Sequence, residues 1–277
     1  MYTLAYGEQR PVMVYDRSIA VVGCGGTGSL VAEGLCRLLQ PDPEMKLLLV
    51  DHDRVERHNL LRQAFYHGDV GRFKAEALAT RLARLFERPV GYSVQEFSQA
   101  YYGSSNSPLR SARIVIGCVD NPMARAEIAA AIRPTRWWID AGNAENLGQV
   151  LIGNADSPDD LKGAFDPERE VCYALPSPSV QRPELLLPGE ASPIMPEDPD
   201  CAEAVRLGGQ SPVINQVMAA LTLEVVRRII TGACHWMALY VNMEQGELRA
   251  VDATPANAAR AFGLRSHRAL IAQNKRR

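Results

Sequence analysis

The sequence predicts an α/β protein: a Rossmann-like, mostly parallel sheet with helices on both faces, extended by a Pro-rich crossover segment and a C-terminal hairpin. Three observations predict it. Short apolar runs recur at Ile19 to Val22, Lys46 to Val50 and Ile114 to Val119, as strands buried on both faces require. Segments with apolar residues at helical spacing separate them. The first run feeds a glycine-rich turn, SIAVVGCGGTGS over Ser18 to Ser29, and most chemically suggestive residues downstream read as equipment for a phosphate on it.

A chain of 277 residues with 47% hydrophobic content can bury a sizeable core, in one large or one and a half domains. Its net charge of -2 and pI near 6.2 point to no nucleic acid or membrane partner. The first seventeen residues contain no apolar signal core, and no stretch reaches the roughly eighteen apolar residues of a membrane span, so a cytoplasmic location is expected. Six cysteines (Cys24, Cys36, Cys118, Cys172, Cys201, Cys234) are scattered without close pairs, each most simply a buried, reduced hydrophobe.

Taken in order, residues 1–17 form an N-terminal arm, and 18–154 a nucleotide-binding domain. Gly23, Gly25 and Gly28 fall on G-x-G-x-x-G spacing: the first permits a tight turn, the second lets backbone approach a phosphate, the third allows close packing of helix on strand. The helix that follows aims free N–H groups at the same point. Gly26 is a fourth glycine that a dinucleotide fingerprint does not require. Leu30 to Leu39 continue the helix as far as the breaker Pro41-Asp42-Pro43. The strand Lys46 to Val50 ends at Asp51, a candidate for a ribose hydroxyl or a turn aspartate. A polar loop, Arg54 to Phe65, then a helix from Gly71 to about Arg88, bring Arg62, Gln63 and Lys74 toward the strands' carboxyl ends. Two cations beside a phosphate turn suggest a triphosphate. Val90 to Phe97 reads as a strand and Tyr101 to Ser111 as a loop. The strand Ile114 to Val119 ends at Asp120-Asn121-Pro122, where Asp120 either caps the helix Met123 to Ile132 or holds Mg²⁺. Strands follow at Trp137 to Ala141 and Gly148 to Asn154.

Residues 155–200 hold nine of the eighteen prolines and eleven acidic residues against three basic, so a crossover segment without regular elements is expected. Residues 201–254 comprise the Cys201 segment, a long helix Asn215 to Ile230, and a hairpin pairing Ala238 to Asn242 with Glu247 to Val251. Asp200 as N-cap would lower the Cys201 thiol, while its charge and that of Asp198 oppose this. Residues 255–277 read as a basic, frayed tail. The P-loop pattern G-x-x-x-x-G-K-[ST] does not occur.

Five stretches in order resemble the ThiF/MoeB/HesA superfamily, the ATP-dependent activators of ubiquitin-like and sulfur-carrier proteins. They are GCGGTGS (Gly23 to Ser29), DHDRVERHNLLRQ (Asp51 to Gln63), GRFKAEALA (Gly71 to Ala79), VDNPMAR (Val119 to Arg125), and the segment from Cys201 to Gly232. QRP, GCGGTGS and DVGRFKAE also resemble the ThiF-like proteins of plasmid-associated PRTRC systems. The resemblance implies that Gly23, Gly25, Gly26 and Gly28 cradle ATP, that Asp51 binds ribose, and that Asn59, Arg62, Gln63 and Lys74 bind phosphates. It implies Mg²⁺ on Asp120 beside Asn121, and makes Arg62, Lys74, Asp120 and Cys201 the catalytic candidates. Some members use the Cys201 position for thioester or persulfide transfer and others only adenylate, so its role stays open. The implied partners are a β-grasp protein ending in glycine, a second copy of the chain, and a conjugating enzyme. A trans arginine would come from the N-terminal arm, with Arg10 nearest. Many relatives hold zinc on two Cys-x-x-Cys pairs, whereas Cys172-Tyr173-Ala174-Leu175 keeps one cysteine, so no zinc is expected. Adenylation of a small molecule or tRNA base uses the same chemistry, and Gly23, Gly25, Gly28 and Asp51 alone would also permit a NAD-dependent oxidoreductase.

Overall fold

The computed structural model describes residues 1–5, 18–102, 112–187 and 212–272. The chain begins with a two-residue strand β1 (Thr3–Leu4), then β2 (Ser18–Val22), helix α1 (Gly26–Leu38), β3 (Lys46–Val50), α2 (Lys74–Phe86) and β4 (Val90–Ser93). A short turn α3 (Gln99–Tyr102) precedes β5 (Ala112–Gly117), α4 (Pro122–Ala131), β6 (Trp137–Asn143) and β7 (Leu147–Gly153). The small elements β8 (Phe165–Asp166), β9 (Val171–Cys172) and α5 (Pro178–Gln181) follow. Then come α6 (Pro212–Ile230), β10 (Trp236–Asn242), β11 (Glu247–Asp252) and α7 (Pro255–Ala261).

Eight strands form the main sheet in the order β11-β10-β7-β6-β5-β2-β3-β4. The pairings from β4 through β6 are parallel, and β7, β10 and β11 extend the sheet antiparallel. Alternation along the strands divides the core in two. Ile19 and Val21 of β2 join Leu35 of α1, Leu78 and Leu82 of α2, and Met218 and Val225 of α6. Ala20 and Val22 point the other way, with Ile128 and Ala131 of α4. Burying each of these larger side chains is worth about 1.5–3 kcal/mol. Helices α1 and α6 approach closely because Gly34 has no side chain: a Cβ there would lie 2.2 Å from Leu223 Cδ1.

Three expectations change. Residues 155–187 do form regular elements: β9 pairs with both β1 and β8 in a three-stranded sheet, and short turns begin at Pro158, Pro178 and Pro183. Proline breaks a helix interior but suits its first position, where no N–H is needed, and all three sit there. The basic tail is folded as far as Ala272. Thr254 caps α7, Ala258 and Leu270 are buried, and Ala272 N–H donates to the Phe165 carbonyl (2.8 Å). Its apolar residues bury themselves while the arginines stay outside. The strand expected to run to Phe97 ends at Ser93, and Phe97 instead enters the core beside α4. Cys201, Asp198, Asp200 and Arg10 lie outside the described residues.

Candidate functional site

The carboxyl ends of β2, β3, β5 and β6 open into one cleft of about 460 Å³. Of the sites singled out from sequence that lie among the described residues, all but Gly28 line it: the other three glycines, Asp51, Asn59, Arg62, Gln63, Lys74, Asp120 and Asn121.

Gly23 sits at φ 88° against β5, where a Cβ would fall 2.6 Å from the Cys118 carbonyl oxygen. Gly28 packs behind the turn, with no room for a Cβ beside the Gly23 carbonyl (1.8 Å). Gly25 faces open space, its nearest neighbour being Gln63 Nε2 at 3.9 Å. Gly26 has a different neighbour: a Cβ there would meet Asn215 Nδ2 of α6 at 2.3 Å. The fourth glycine thus makes room for α6 as well as for a ligand. No side chain caps α1, so its first-turn N–H groups are available.

Asp51 braces the turn. One carboxylate oxygen accepts from Cys24 N–H (2.6 Å) and the other from Asp53 N–H (2.8 Å). Burial raises its carboxyl above the usual range, and these N–H groups together with Lys74 pull it back. Lys74, 8% exposed, donates Nζ to Asp53 Oδ2 (2.9 Å). Burial would raise the Asp53 carboxyl, but the lysine holds it below the usual range. Asn59 is committed to its own turn, its Oδ1 accepting from Glu56 N–H (2.9 Å). At the end of β5, Asn121 caps α4 by accepting Ala124 N–H (2.7 Å), so Asp120 is not the cap. Asp120 is exposed, and among the described residues no protein group hydrogen-bonds its carboxylate.

Several groups in or behind the cleft are not singled out by the sequence. Asn143, at the end of β6, and Asn215 in α6 meet Thr27: the Thr27 hydroxyl lies 3.2 Å from Asn143 Oδ1 and 3.3 Å from Asn215 Oδ1. Asn143 Nδ2 donates to Asn215 Oδ1 (3.2 Å), and Asn215 Nδ2 to the Arg62 carbonyl (3.4 Å). Arg125, 4% exposed, donates Nε to both oxygens of Asp140 (3.2 and 3.3 Å), which is fully buried. Burial raises the Asp140 carboxyl and the Arg125 charge opposes it. Gln149, on β7, closes the far end. The only hint of any of these in the chain is a polar residue interrupting an apolar run.

The cleft fits a nucleoside triphosphate in its donor set: an open glycine backbone, uncapped helix N–H groups, Lys74 and the Arg62 loop. The buried Gln63 Oε1 has no hydrogen-bond partner among the described residues, leaving it for a ligand. The unpartnered Asp120 carboxylate suits a hard divalent cation. Burial raises the thiols of Cys24, Cys118 and Cys172 far above their usual range, and those of Cys36 and Cys234 to about 11.

The sequence model of the ThiF family matches residues 6–259. Over 178 residues the chain is 33% identical to ubiquitin-like modifier-activating enzyme 5 of Caenorhabditis briggsae, covering 60% of this chain and 38% of that protein. The Drosophila mojavensis protein of the same name is 33% identical over 144 residues, 48% of this chain and 35% of that one. The chain thus spans little more than a third of these relatives' length. Among solved structures, E. coli MccB with MccA-N7isoASN superposes with a TM-score of 0.55 at 17% identity, over 86% of this chain and 65% of that one. PaaA gives 0.56 at 18% identity, over 86% and 66%. E. coli MccB with ATP gives 0.52 at 18% identity, over 86% and 64%. At these identities the likeness is one of fold.

Proposed function

Because the chain belongs to the ThiF family, we propose that it is an adenylyltransferase, using ATP to activate the C-terminal carboxylate of a ubiquitin-like or sulfur-carrier protein. The observation that carries this reading is the convergence, on one glycine turn, of Lys74, the Arg62 loop and an Asp120 carboxylate left without a protein partner. A carboxylate oxygen of the acceptor bonds to the α-phosphorus of ATP. The α–β P–O bond breaks, and pyrophosphate leaves with its electron pair. Both partners are anionic, so the chain's task is to hold them together and neutralise charge. The acceptor carboxylate is already ionised at neutral pH, so no general base is needed.

In this reading the turn amides at Gly25 and Gly26 and the N-terminus of α1 hold phosphate oxygens, with Arg62, Gln63 and Lys74 beside them. Asp53 holds the Lys74 Nζ in place at the cleft. Asp51, already fixed by two backbone N–H groups, presents its carboxylate to the ribose. Asp120, next to Asn121, would hold Mg²⁺, which when bound neutralises phosphate charge. Cys201 would receive the acyl group if this chain goes on to a thioester or persulfide. A homodimer donating an arginine from the N-terminal arm, a conjugating enzyme downstream, and a cytoplasmic location with its supply of ATP complete the proposal.

The similarity to proteins named ubiquitin-like modifier-activating enzyme 5 favours a protein acceptor over a small molecule or tRNA base. The nicotinamide alternative rested on three glycines and Asp51, and ThiF membership displaces it. The test is ATP–pyrophosphate exchange with Mg²⁺ and a glycine-terminated ubiquitin-like protein encoded beside this chain. Exchange that depends on that protein, and falls at least 100-fold in Asp120→Asn with an unchanged unfolding midpoint, supports the reading. No exchange by the unaltered chain refutes it, and pyrophosphate release independent of the carrier moves the substrate to a small molecule.

A further inference from the structure

The cleft runs across the sheet, and its parts appear in strand order. Asp51 follows β3, the glycine turn follows β2, Asp120 follows β5, and beyond these lie Arg125, Gly142 and Gln149 on α4, β6 and β7. If the nucleoside sits at Asp51 and the phosphates at the turn, the β6–β7 end lies on the side of the phosphates away from the sugar. Nothing in the adenylation reading has yet used it.

The side-chain acceptors nearest that end, the Asp140 carboxylate and Gln149 Oε1, are already taken by Arg125 and Arg182, which leaves donors. Gln149 is 1% exposed, pairs across the sheet with Gly142, and its Oε1 accepts from Arg182 Nη1 (3.0 Å). An arginine cannot accept, so the amide has one orientation, with Nε2 turned away from Arg182. Nε2 is buried and has no partner among the described residues. Arg182 is itself held, donating Nε to Glu184 and hydrogen-bonding the Tyr240 hydroxyl, so the bracket that orients Gln149 is rigid. Asp140 takes up Nε of Arg125, and among the described residues no protein group accepts from its two Nη groups. Gly142 lies between: a Cβ there would stand 3.2 Å from Arg125 Nη2 and 3.8 Å from both Asp140 Oδ2 and Gln149 Cγ. With no side chain at 142, the space between the two donors stays open.

A buried, unpaired amide N–H₂ costs free energy that nothing in the fold recovers. A ligand bearing only acceptors would recover it. Resting on the adenylation reading, we propose that Gln149 and Arg125 form the seat for the terminal carboxylate and last peptide carbonyl of a polypeptide acceptor, with Gln149 a specificity-determining residue. The pair holds the carboxylate beside the α-phosphorus without a second full positive charge, since Asp140 already offsets Arg125.

The experiment measures binding of N-acetylglycylglycine and of its C-terminal amide by saturation-transfer NMR, with the ATP analogue AMPCPP titrated separately. Gln149→Glu is the main variant: it keeps an acceptor for Arg182 and replaces the N–H₂ with a carboxylate oxygen. Gln149→Leu is the second, and near-ultraviolet circular dichroism checks that both fold. The expected result is at least a 10-fold loss of free-carboxylate peptide in both variants. The amide should bind the unaltered protein at least 10-fold more weakly, and AMPCPP should bind equally to all three. Peptide that fails to bind the unaltered protein, or binds the variants equally well, overturns the proposal. AMPCPP affinity falling as far as peptide affinity also overturns it, because Gln149 would then serve the nucleotide. Failure of carrier-dependent pyrophosphate exchange in the unaltered chain is a separate result and refutes the adenylation reading instead.

Discussion

Replacing Arg125 with methionine should expose how much of the site's floor rests on one buried charge. Methionine keeps most of the aliphatic volume and removes the guanidinium, leaving Asp140, at 0% exposure, without its cation. The intact pair contributes little net stability, because desolvation offsets its attraction, but removing one partner strands the other at a cost of about 3–5 kcal/mol. At slightly under 2 °C per kcal/mol for a domain this size, Tm should fall by about 5–9 °C. The effect should depend on pH. Burial already raises the Asp140 carboxyl, and losing Arg125 removes what pulls it down. A folded pKa above the unfolded value of about 3.9 costs nothing below that value and costs progressively more as pH rises through the folded one. Urea unfolding at pH 5 and pH 8 measures this: the gap between Arg125→Met and the unaltered chain should be wider at pH 8. Adding Asp140→Asn should recover at least half of it. A gap equal at both pH values and unaffected by Asp140→Asn would refute the reasoning, since the loss would then come from packing alone.

Three further outcomes follow from the geometry. Gly28→Ala drives a methyl onto the Gly23 carbonyl, and because both sides are backbone the turn must open; a loss of about 3 kcal/mol or more in urea unfolding is expected, with AMPCPP binding abolished. Glu224 is held down to about 2 by hydrogen bonds from Arg227 and Arg228, so its contribution is complete above about 4.3 and lost as pH falls toward 2; Glu224→Gln should lower stability at pH 7, with the gap to the unaltered chain closing as pH falls toward 2. Ellman's reagent should label the four buried cysteines, Cys24, Cys36, Cys172 and Cys234, slowly in the native protein and fast in denaturant, and fast native labelling of any of the four, located by mass spectrometry, would contradict the burial described.

What could be read without coordinates was whatever the chain states locally. The Gly28 role follows from its spacing, because close packing of helix on strand is a property of a few consecutive residues. Asp120 was ambiguous between cap and ligand, and only Asn121 taking Ala124 N–H separates the two. Pro158, Pro178 and Pro183 misled, because composition registers a breaker where position makes a helix start. Leu270 and Ala258 were overlooked among arginines for the same reason: net charge hides which few residues face inward. Asn143, Asn215, Asp140 and Gln149 carried no pattern at all. The meaning of each lies in a partner on another element.

The Thr27–Asn143–Asn215 cluster bears on when the cleft comes into being during synthesis and folding. Thr27 and Asn215 are 188 positions apart, so the glycine turn has its full set of neighbours only once nearly all of the chain has emerged and α6 has docked across α1. Closing so long a loop is slow and entropically costly, which places this contact late among the folding events. A truncated or half-folded chain could carry the whole glycine motif and still lack a nucleotide cradle. Nucleotide affinity would therefore serve as a reporter of complete folding, and a lesion in α6, remote in sequence from every phosphate-binding motif, would be felt first at the turn.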